Sequence, residues 1–238
     1  MKTRAYGQYC GFARALEVVG ERWAMLIVRD LLVGPKRFTD LLRGLSGIPS
    51  NVLAVRLKEL EAAGVVGRRV LPRPERGVVY ELTEYGAELE PVVLELGRWG
   101  AKNLGEPRAA ETVTVESLIT ALRTTFRADA ARGVRAVFAL RVGPVALHAR
   151  VDDGRVSVAP DAPPDADITI DAGPGIRAVM AGEIGPEAAL DQGIAQVSGD
   201  RSLFARFVRI FRIDPKPVAC AVPPEAVISG GRPARVRP

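Results

Sequence analysis

The stretch FTDLLRGLSGIPSNVLAVRLKELEAAGVV, Phe38 to Val66, and its continuation GRRVLPRPERGVVYELTEYG, Gly67 to Gly86, decide the fold of the first half of this chain. Pro fits the first turn of a helix and a Ser hydroxyl can accept from the free N–H groups there, so Pro49 and Ser50 predict that a helix begins near Ser50. Gly64 predicts its end, because glycine commonly terminates helices. A second helix precedes the GIPSN turn, and two β-rich runs follow the glycine.

The predicted helix after Pro49 has two distinct faces. Leu53, Leu57 and Leu60 recur at helical spacing and form one apolar stripe that faces inward. The opposite face is small, polar and partly cationic. It carries Asn51, Val55, Lys58 and Ala62, with Arg56 at its flank. A face of this kind fits a DNA major groove, which is about 12 Å wide.

The β-rich runs form a predicted hairpin with many arginines. The runs, Val65 to Leu71 and Val78 to Leu82, are joined by Pro, Arg and Gly residues that indicate a turn. From Lys36 to Arg76 the chain carries nine Lys or Arg against four acidic residues, a net charge of +5 that equals the net charge of the whole chain. The order helix, turn, helix, basic hairpin predicts a winged helix-turn-helix that docks on DNA.

The residues expected at the DNA are the polar and cationic side chains of this region. They are Lys36, Arg37, Thr39, Ser50, Asn51, Val55, Arg56, Lys58, Arg68, Arg69, Arg73 and Arg76. Guanidinium groups on the hairpin can hold phosphates or lie in a minor groove. The alternative for each arginine is an ordinary solvated turn, and the alternative for the leucine stripe is ordinary core.

Residues 6–104 resemble the HxlR family of bacterial winged-helix transcriptional regulators. The matching positions are Cys10, Gly20-Glu21-Arg22-Trp23, Arg29-Asp30-Leu31, Gly34-Pro35-Lys36-Arg37-Phe38, Gly47-Ile48, Leu53, Arg56-Leu57, Leu60, Gly64-Val65-Val66, Arg68, Pro74, Tyr80-Glu81-Leu82-Thr83, Gly86, Leu89 and Trp99. The resemblance implies a DNA-binding homodimer in which the first and last helices of the domain pack across the two-fold axis. An apolar stripe of Leu89, Val92, Val93, Leu96 and Trp99 is compatible with that packing. The alternative is that this stripe is core within one chain.

Cys10 is a candidate redox residue. The chain has two cysteines, Cys10 and Cys220, and no ligand spacing such as CxxC, so we predict neither a metal site nor a cofactor. Cys10 lies where the HxlR family has a cysteine, and the resemblance implies that its thiol can sense oxidants or electrophiles. Such a role needs an accessible setting that favours the thiolate, which nearby Arg14 could help to supply. The alternative is a small buried apolar residue at the start of the first helix.

The sequence pattern changes after Gly105-Glu106-Pro107. A helical period over Val115 to Ala130 precedes short alternating runs at 135–142, 145–151, 155–159 and 166–171, which predict an antiparallel meander of hairpins. Residues 111–213 resemble the sterol carrier protein type-two fold, in the phrase Ala166-Asp167-Ile168-Thr169-Ile170 before a helix and in Gln196-Val197-Ser198-Gly199-Asp200 before the final helix. The predicted fold class is therefore α+β. It comprises a winged helix-turn-helix domain at 1–105, an antiparallel-sheet α/β domain of sterol-carrier type at 106–213, and a Pro/Arg-rich tail at 214–238.

The sterol-carrier resemblance implies an apolar small molecule held in a tunnel between the sheet and the helices. The side chains expected near this ligand are Phe138, Leu140, Phe204, Phe207 and Phe211. The alternative is that these side chains fill the core completely and that the domain serves for dimerisation or as a spacer. The sequence alone leaves both alternatives open.

The sequence carries no signature of an enzyme. Its single histidine, His148, shares a strand face with Ala146 and Arg150, which predicts a position on the solvent side. No Ser, Cys or carboxylate pair resembles an activated nucleophile, and no glycine-rich phosphate loop follows a strand. The chain also lacks an apolar run of about 18 residues and a charged-then-apolar leader, so we expect a cytoplasmic protein that does not enter a membrane.

Taken together, these features predict a bacterial transcriptional regulator that binds double-stranded operator DNA as a homodimer. We expect an apolar small molecule in the C-terminal domain to modulate it. Two alternatives remain: a lipid-carrier or scaffold protein that uses the winged helix mainly for dimerisation, and a redox-sensing regulator based on Cys10.

Overall fold

The computed structural model of the protein describes residues 5–108, 111–161 and 163–216. Most of the predicted Pro/Arg-rich tail, including Cys220, lies outside these residues. No helix among the described residues has both the length and the apolar character needed to cross a membrane.

The N-terminal half is built from six helices and a three-stranded sheet among its described residues. The elements are α1 (Gly11–Val19), α2 (Ala24–Leu31), β1 (Lys36–Arg37), α3 (Phe38–Gly44), α4 (Ser50–Ala62), β2 (Val66–Leu71), β3 (Gly77–Leu82), α5 (Glu84–Ala87) and α6 (Glu90–Ala101). The sheet has the order β1-β3-β2 and is antiparallel. This arrangement confirms the predicted helix, turn, helix and hairpin.

The leucine stripe of α4 anchors this half. Leu53, Leu57 and Leu60 are buried, together with Ile27 of α2 and Leu41 of α3, in one apolar core. Burying side chains of this size contributes roughly 1.5–3 kcal/mol each relative to exposure. The outward face of α4 is consequently free of any packing role.

The hairpin is fixed against the end of α4 by Thr83. Its hydroxyl donates to the carbonyl of Gly64 at 2.6 Å and accepts from the N–H of Gly86 at 3.0 Å. A Cβ on Gly86 would lie 2.0 Å from the Val65 carbonyl oxygen, so glycine is required for this close approach. These contacts set the position of the wing relative to α4.

The C-terminal half contains a five-stranded sheet with helices packed against it. Its elements are α7 (Val115–Thr125), β4 (Arg135–Val142), β5 (Val145–Asp152), β6 (Arg155–Pro160), β7 (Ile168–Ala172), α8 (Ile176–Met180), α9 (Pro186–Asp191), β8 (Ala195–Gly199) and α10 (Ser202–Ile210). The strand order is β6-β5-β4-β7-β8. The second half is therefore an α+β domain, as predicted.

The prediction of an antiparallel meander is wrong for one pair of strands, because β7 runs parallel to β4. The chain leaves β6 at the sheet edge and returns beyond β4. Asp167 fixes the start of β7 there: its N–H donates to the Val137 carbonyl at 3.0 Å, and its carboxylate accepts from the Val137 N–H at 2.7 Å. The remaining neighbours, β4–β5, β5–β6 and β7–β8, are antiparallel.

The two halves are packed against each other through α7. This helix lies against α6 and α2, and a Cβ on Gly97 of α6 would come 3.0 Å from the Thr124 hydroxyl. The Arg98 side chain donates to the Thr124 carbonyl at 3.2 Å, and Lys36 of β1 pairs with Glu116 of α7 at 2.7 Å. The C-terminal domain is thus docked on the N-terminal domain at several points.

Candidate nucleic-acid interface

The outward face of α4 is exposed along its length. Ser50, Asn51 and Lys58 are exposed, and Val55 is 38% exposed. Lys58 has no ion-pair partner within the described residues. Thr39 of α3 is also exposed. These five predicted side chains are accessible to a ligand.

Three of the predicted arginines are held by carboxylates of the same chain. Arg56 pairs with Glu59 and, at 3.1 Å, with Glu21. Arg68 donates to both carboxylate oxygens of Glu61 at 2.6 and 2.7 Å, and Arg69 donates to Glu81 at 2.9 Å. These guanidinium charges are compensated within the fold, so their attraction for phosphates is weaker than the sequence suggested.

The tip of the wing carries arginines of a different kind. Arg73 and Arg76 are exposed, and neither has a hydrogen-bond or ion-pair partner among the residues that the structure describes. Arg37 supports the tip, because its guanidinium donates to the Glu75 carbonyl at 2.5 Å. The tip of the wing therefore carries two exposed arginines, Arg73 and Arg76, whose charges have no partner among the described residues. The backbone between them is held by the hydrogen bond from Arg37.

Lys36, which was predicted to contact DNA, is paired with a carboxylate of the C-terminal domain. Its ammonium lies 2.7 Å from the Glu116 carboxylate, and both side chains are less than one-fifth exposed. Burial raises the pKa of Glu116, but the hydrogen bond and charge of Lys36 outweigh it, and the net pKa is lowered. Lys36 therefore joins the two domains, and its charge is compensated by Glu116.

An exposed apolar surface lies on the helices that the family resemblance assigned to dimerisation. Val92, Leu96 and Trp99 of α6 are each more than half exposed, whereas Val93 is buried. Phe12 of α1 is 73% exposed. The predicted stripe is thus divided: one side packs within the chain and the other faces solvent, where contiguous apolar area marks interaction surfaces.

Cys10 is exposed and forms the N-cap of α1. The backbone N–H groups of Ala13 and Phe12, at the start of α1, lower the pKa of its thiol. The buried-residue alternative is therefore wrong. Arg14, which was expected to favour the thiolate, pairs with Glu17 at 2.8 Å, so the backbone supplies that effect instead.

The five side chains predicted around an apolar ligand pack against one another and their neighbours. Phe138, Leu140, Phe204, Phe207 and Phe211 are each at most 1% exposed. The ring centroids of Phe207 and Phe211 are 4.9 Å apart, and those of Phe138 and Phe207 are 5.6 Å apart. This close packing favours the filled-core alternative for the domain.

A cleft that the sequence did not indicate lies where the two domains meet. It has a volume of about 220 Å³ and is open to solvent. Its walls are Trp23, Leu26 and Arg29 of the N-terminal domain, the turn Gly44, Leu45 and Ser46 after α3, and Glu111, Thr112, Thr114 and Ser117 from the C-terminal side. The residues that line this cleft are far apart in the sequence, so no local sequence pattern could have predicted it.

The described residues contain no group of three His, Cys, Asp or Glu side chains that could hold a metal ion. The Nδ1 atom of His148 lies 2.9 Å from the Asp161 carbonyl oxygen, and its ring is partly exposed, as predicted.

The fold and this surface define the class of the N-terminal half: a winged helix-turn-helix domain. A family model described as HxlR-like helix-turn-helix matches residues 18–108. The Bacillus subtilis regulator YvaP, an uncharacterized HTH-type transcriptional regulator, is 38% identical over 91 residues, which span 38% of this chain and 84% of YvaP. YodB, an HTH-type transcriptional regulator of the same organism, is 42% identical over 85 residues, or 36% of this chain and 76% of YodB. The chain belongs to the HxlR family.

Among solved structures, the redox regulator HypR in its oxidized form is 36% identical to this chain. The likeness covers 41% of this chain and 100% of HypR, with a TM-score of 0.38.

Proposed function

We propose that this protein is a transcriptional regulator that binds operator DNA as a homodimer. The observation that carries the proposal is that the outward face of α4 is exposed to solvent and that the wing carries two exposed arginines, Arg73 and Arg76, whose charges are not compensated by any of the described residues. Short polar side chains on a helix can read base edges, and free guanidinium groups can hold phosphates. Relatives named as transcriptional regulators support the same role.

The exposed apolar surface of α1 and α6 supports a dimer. Each copy of the chain would cover Phe12, Val92, Leu96 and Trp99 of the other across a two-fold axis. Two α4 helices related in this way would contact two half-sites about one helical turn apart, roughly 34–36 Å. We therefore propose a palindromic operator.

The test is binding of the purified full chain to the DNA upstream of its own gene, followed by fluorescence anisotropy from about 50 to 200 mM salt. A scrambled duplex of the same composition is the control. We expect the native duplex to be preferred by about 10³-fold or more, with affinity falling steeply as salt rises. Equal, weak binding to both duplexes, together with failure to select a sequence from random DNA, would contradict the proposal.

For the C-terminal domain we propose a sterol-carrier type of fold that acts in regulation by being docked on the N-terminal domain. The closed packing of Phe138, Phe207 and Phe211 supports a spacer or scaffold role for its core. A lipidic ligand in that core would have to displace aromatic side chains that already contact one another.

A second candidate function is redox sensing through Cys10, favoured by its exposure and its lowered thiol pKa. In a dimer, two Cys10 thiols would lose two protons and two electrons to an oxidant such as diamide and form one disulfide. In a Cys220→Ala background, we expect diamide to produce a covalent dimer on a non-reducing gel, and Cys10→Ser to abolish it.

The lowered pKa of Cys10 gives this candidate a pH signature. Because the folded protein favours the thiolate, alkylation by iodoacetamide in the Cys220→Ala background should reach half its maximal rate at a lower pH than alkylation of the same protein unfolded in urea. The same midpoint in both states would show that the backbone of α1 does not activate the thiol.

A further inference from the structure

The cleft between the two domains has walls with complementary chemistry. Trp23 and Leu26 provide apolar surface, and Arg29 provides a cation whose side chain is 19% exposed. Ser46 and Thr112 add hydroxyls that have no hydrogen-bond partner within the described residues. A volume of about 220 Å³ is small for a ligand site, which favours a compact molecule of one ring.

Arg29 is held in place with hydrogen-bonding capacity to spare. Its Nε and Nη2 atoms both donate to one carboxylate oxygen of the fully buried Asp30, at 2.8 and 2.6 Å. The Nη1 atom has no partner among the described residues. The guanidinium is therefore positioned by Asp30 and can still donate to an incoming acceptor.

Glu111, the carboxylate on the opposite wall, is already engaged. It accepts from the Arg108 N–H at 2.9 Å, and its other oxygen lies 3.8 Å from the Arg108 guanidinium. Arg29 is thus the charged lining residue with a free N–H donor, which suits a ligand that carries an acceptor group. Its charge is partly compensated by Asp30, whose second carboxylate oxygen is buried and has no hydrogen-bond partner among the described residues.

Trp23, which lines the cleft, has an unusual backbone conformation. Its φ angle is +82°, in the left-handed region that bulky residues rarely adopt. A residue in this conformation costs energy and persists only where the surrounding structure holds it, and such residues often lie at ligand-binding sites. The guanidinium of Arg22 lies 5.1 Å from the ring centroid, which supplies a further positive charge near the ring.

We propose that this cleft binds a small aromatic carboxylate, with its ring against Trp23 and its carboxylate hydrogen-bonded to Arg29. The ligand would bridge the two domains, because Trp23 and Arg29 belong to one and Thr112 to the other. Ser46 lies in the turn that leads into α4, so occupation of the cleft would alter the position of that helix. This regulatory consequence rests on the proposed DNA-binding function, whereas ligand binding does not.

Benzoate is the probe, and the fluorescence of Trp23 is the readout. The chain has two tryptophans, so Trp99→Phe leaves Trp23 as the sole reporter. We expect saturable quenching with a Kd on the order of 1 mM or below, typical of a ligand with about nine non-hydrogen atoms. Benzamide, which lacks the charge, and acetate, which lacks the ring, should each bind at least tenfold more weakly.

Two variants in the Trp99→Phe background test the assignment. Ser46→Phe narrows the cleft from an exposed position, and Arg29→Lys keeps the charge beside Asp30 but removes the free N–H fork. Each should weaken benzoate binding at least tenfold, while Ser157→Phe, an exposed change on β6, should leave it unchanged. Absence of saturable quenching, equal affinity for benzamide, or undiminished binding by both cleft variants would overturn the site.

A separate measurement tests the regulatory consequence. Saturating benzoate should change the Kd for operator DNA at least threefold in the wild-type chain and not in Ser46→Phe. Saturation of Trp23 without a change in DNA affinity would overturn the regulatory part alone. Absence of specific DNA binding in every condition would count against the proposed function and leave the Trp23 result standing.

Discussion

At the scale of single residues, the structure separates cations that look equivalent in the sequence. Arg69 and Arg73 both lie on the hairpin, yet Arg69 pairs with Glu81 while Arg73 has no partner among the described residues. The charge of a paired guanidinium is partly compensated by its carboxylate, which weakens its attraction for phosphate, so the two should contribute unequally to DNA binding.

The first prediction compares these two arginines. Arg73→Ala should weaken binding to all DNA sequences together and reduce the slope of log Kd against log salt by about one unit. Arg69→Ala is the matched control and should change the slope by less. Anisotropy titrations at several salt concentrations measure both, and a larger change for Arg69 would show that Glu81 releases it on binding.

The second prediction concerns Asn51, which is exposed near the start of α4. An amide in this position can make paired hydrogen bonds to a base edge, so Asn51→Ala should reduce discrimination between operator and scrambled DNA by about 1–3 kcal/mol. Its affinity for scrambled DNA should hardly change. Ala62→Ser, on the same face at the far end of α4, is the control and should leave discrimination intact.

At the scale of elements, the contact between β1 and α7 joins the domains through the Lys36–Glu116 pair. Both side chains are mostly buried, and Asp30, whose own pKa is raised by burial, lies nearby. Removing the ammonium would leave two buried carboxylates with less compensation, which is costly in a region of low dielectric.

The third prediction follows: Lys36→Met should lower the free energy of unfolding by about 1–3 kcal/mol near neutral pH. The pKa of Glu116 is lowered in the folded protein, so the stabilisation exists above its unfolded pKa, near 4.5, and is lost as the pH falls through its folded pKa. The difference from wild type in urea unfolding should therefore shrink in acid. Arg135→Met, which breaks an exposed pair with Asp152, should have no measurable effect.

Local patterns in the sequence were sufficient for most elements. The spacing of Leu53, Leu57 and Leu60 predicted the buried face of α4, and Pro49 and Gly64 predicted its ends. The parallel pairing of β7 with β4 could not be predicted, because it depends on a contact between Asp167 and Val137, thirty positions apart. Contacts between residues that are distant in the sequence cannot be predicted from the local periodicity of apolar residues.

The same limit explains the outcome for the candidate site. The sequence marked Lys36 as a cation near the helix-turn-helix, but its partner Glu116 belongs to the other domain. The cleft at the domain boundary was missed for the same reason, since Trp23 and Thr112 meet only after both domains have folded and docked.

At the scale of the whole molecule, the apolar surface of α6 sets the expected assembly. Trp99 is 66% exposed, and Leu96 and Val92 lie one and two helical turns before it. Two copies would bury these side chains together with Phe12, and large aromatic residues commonly dominate such interfaces.

The fourth prediction is that Trp99→Glu converts a dimer into a monomer. A charge at the centre of the apolar surface would be buried without a partner, whereas in the monomer it stays in water. Light scattering with size-exclusion chromatography measures the mass, and far-UV circular dichroism shows whether the fold persists. Val70→Glu, an exposed apolar position on the wing, should remain dimeric; monomeric wild-type protein at micromolar concentration would contradict the assignment.

The docking of α7 onto α6 has a consequence for the segment between them. Gly97, Arg98 and Lys36 lie at this contact, and Glu106, in the peptide between α6 and α7, adds an ion pair with Arg177 of α8 at 3.5 Å. These contacts do not depend on an intact peptide bond between α6 and α7, so a chain cut there should stay associated. The protein can therefore be regarded as two subunits translated as one polypeptide.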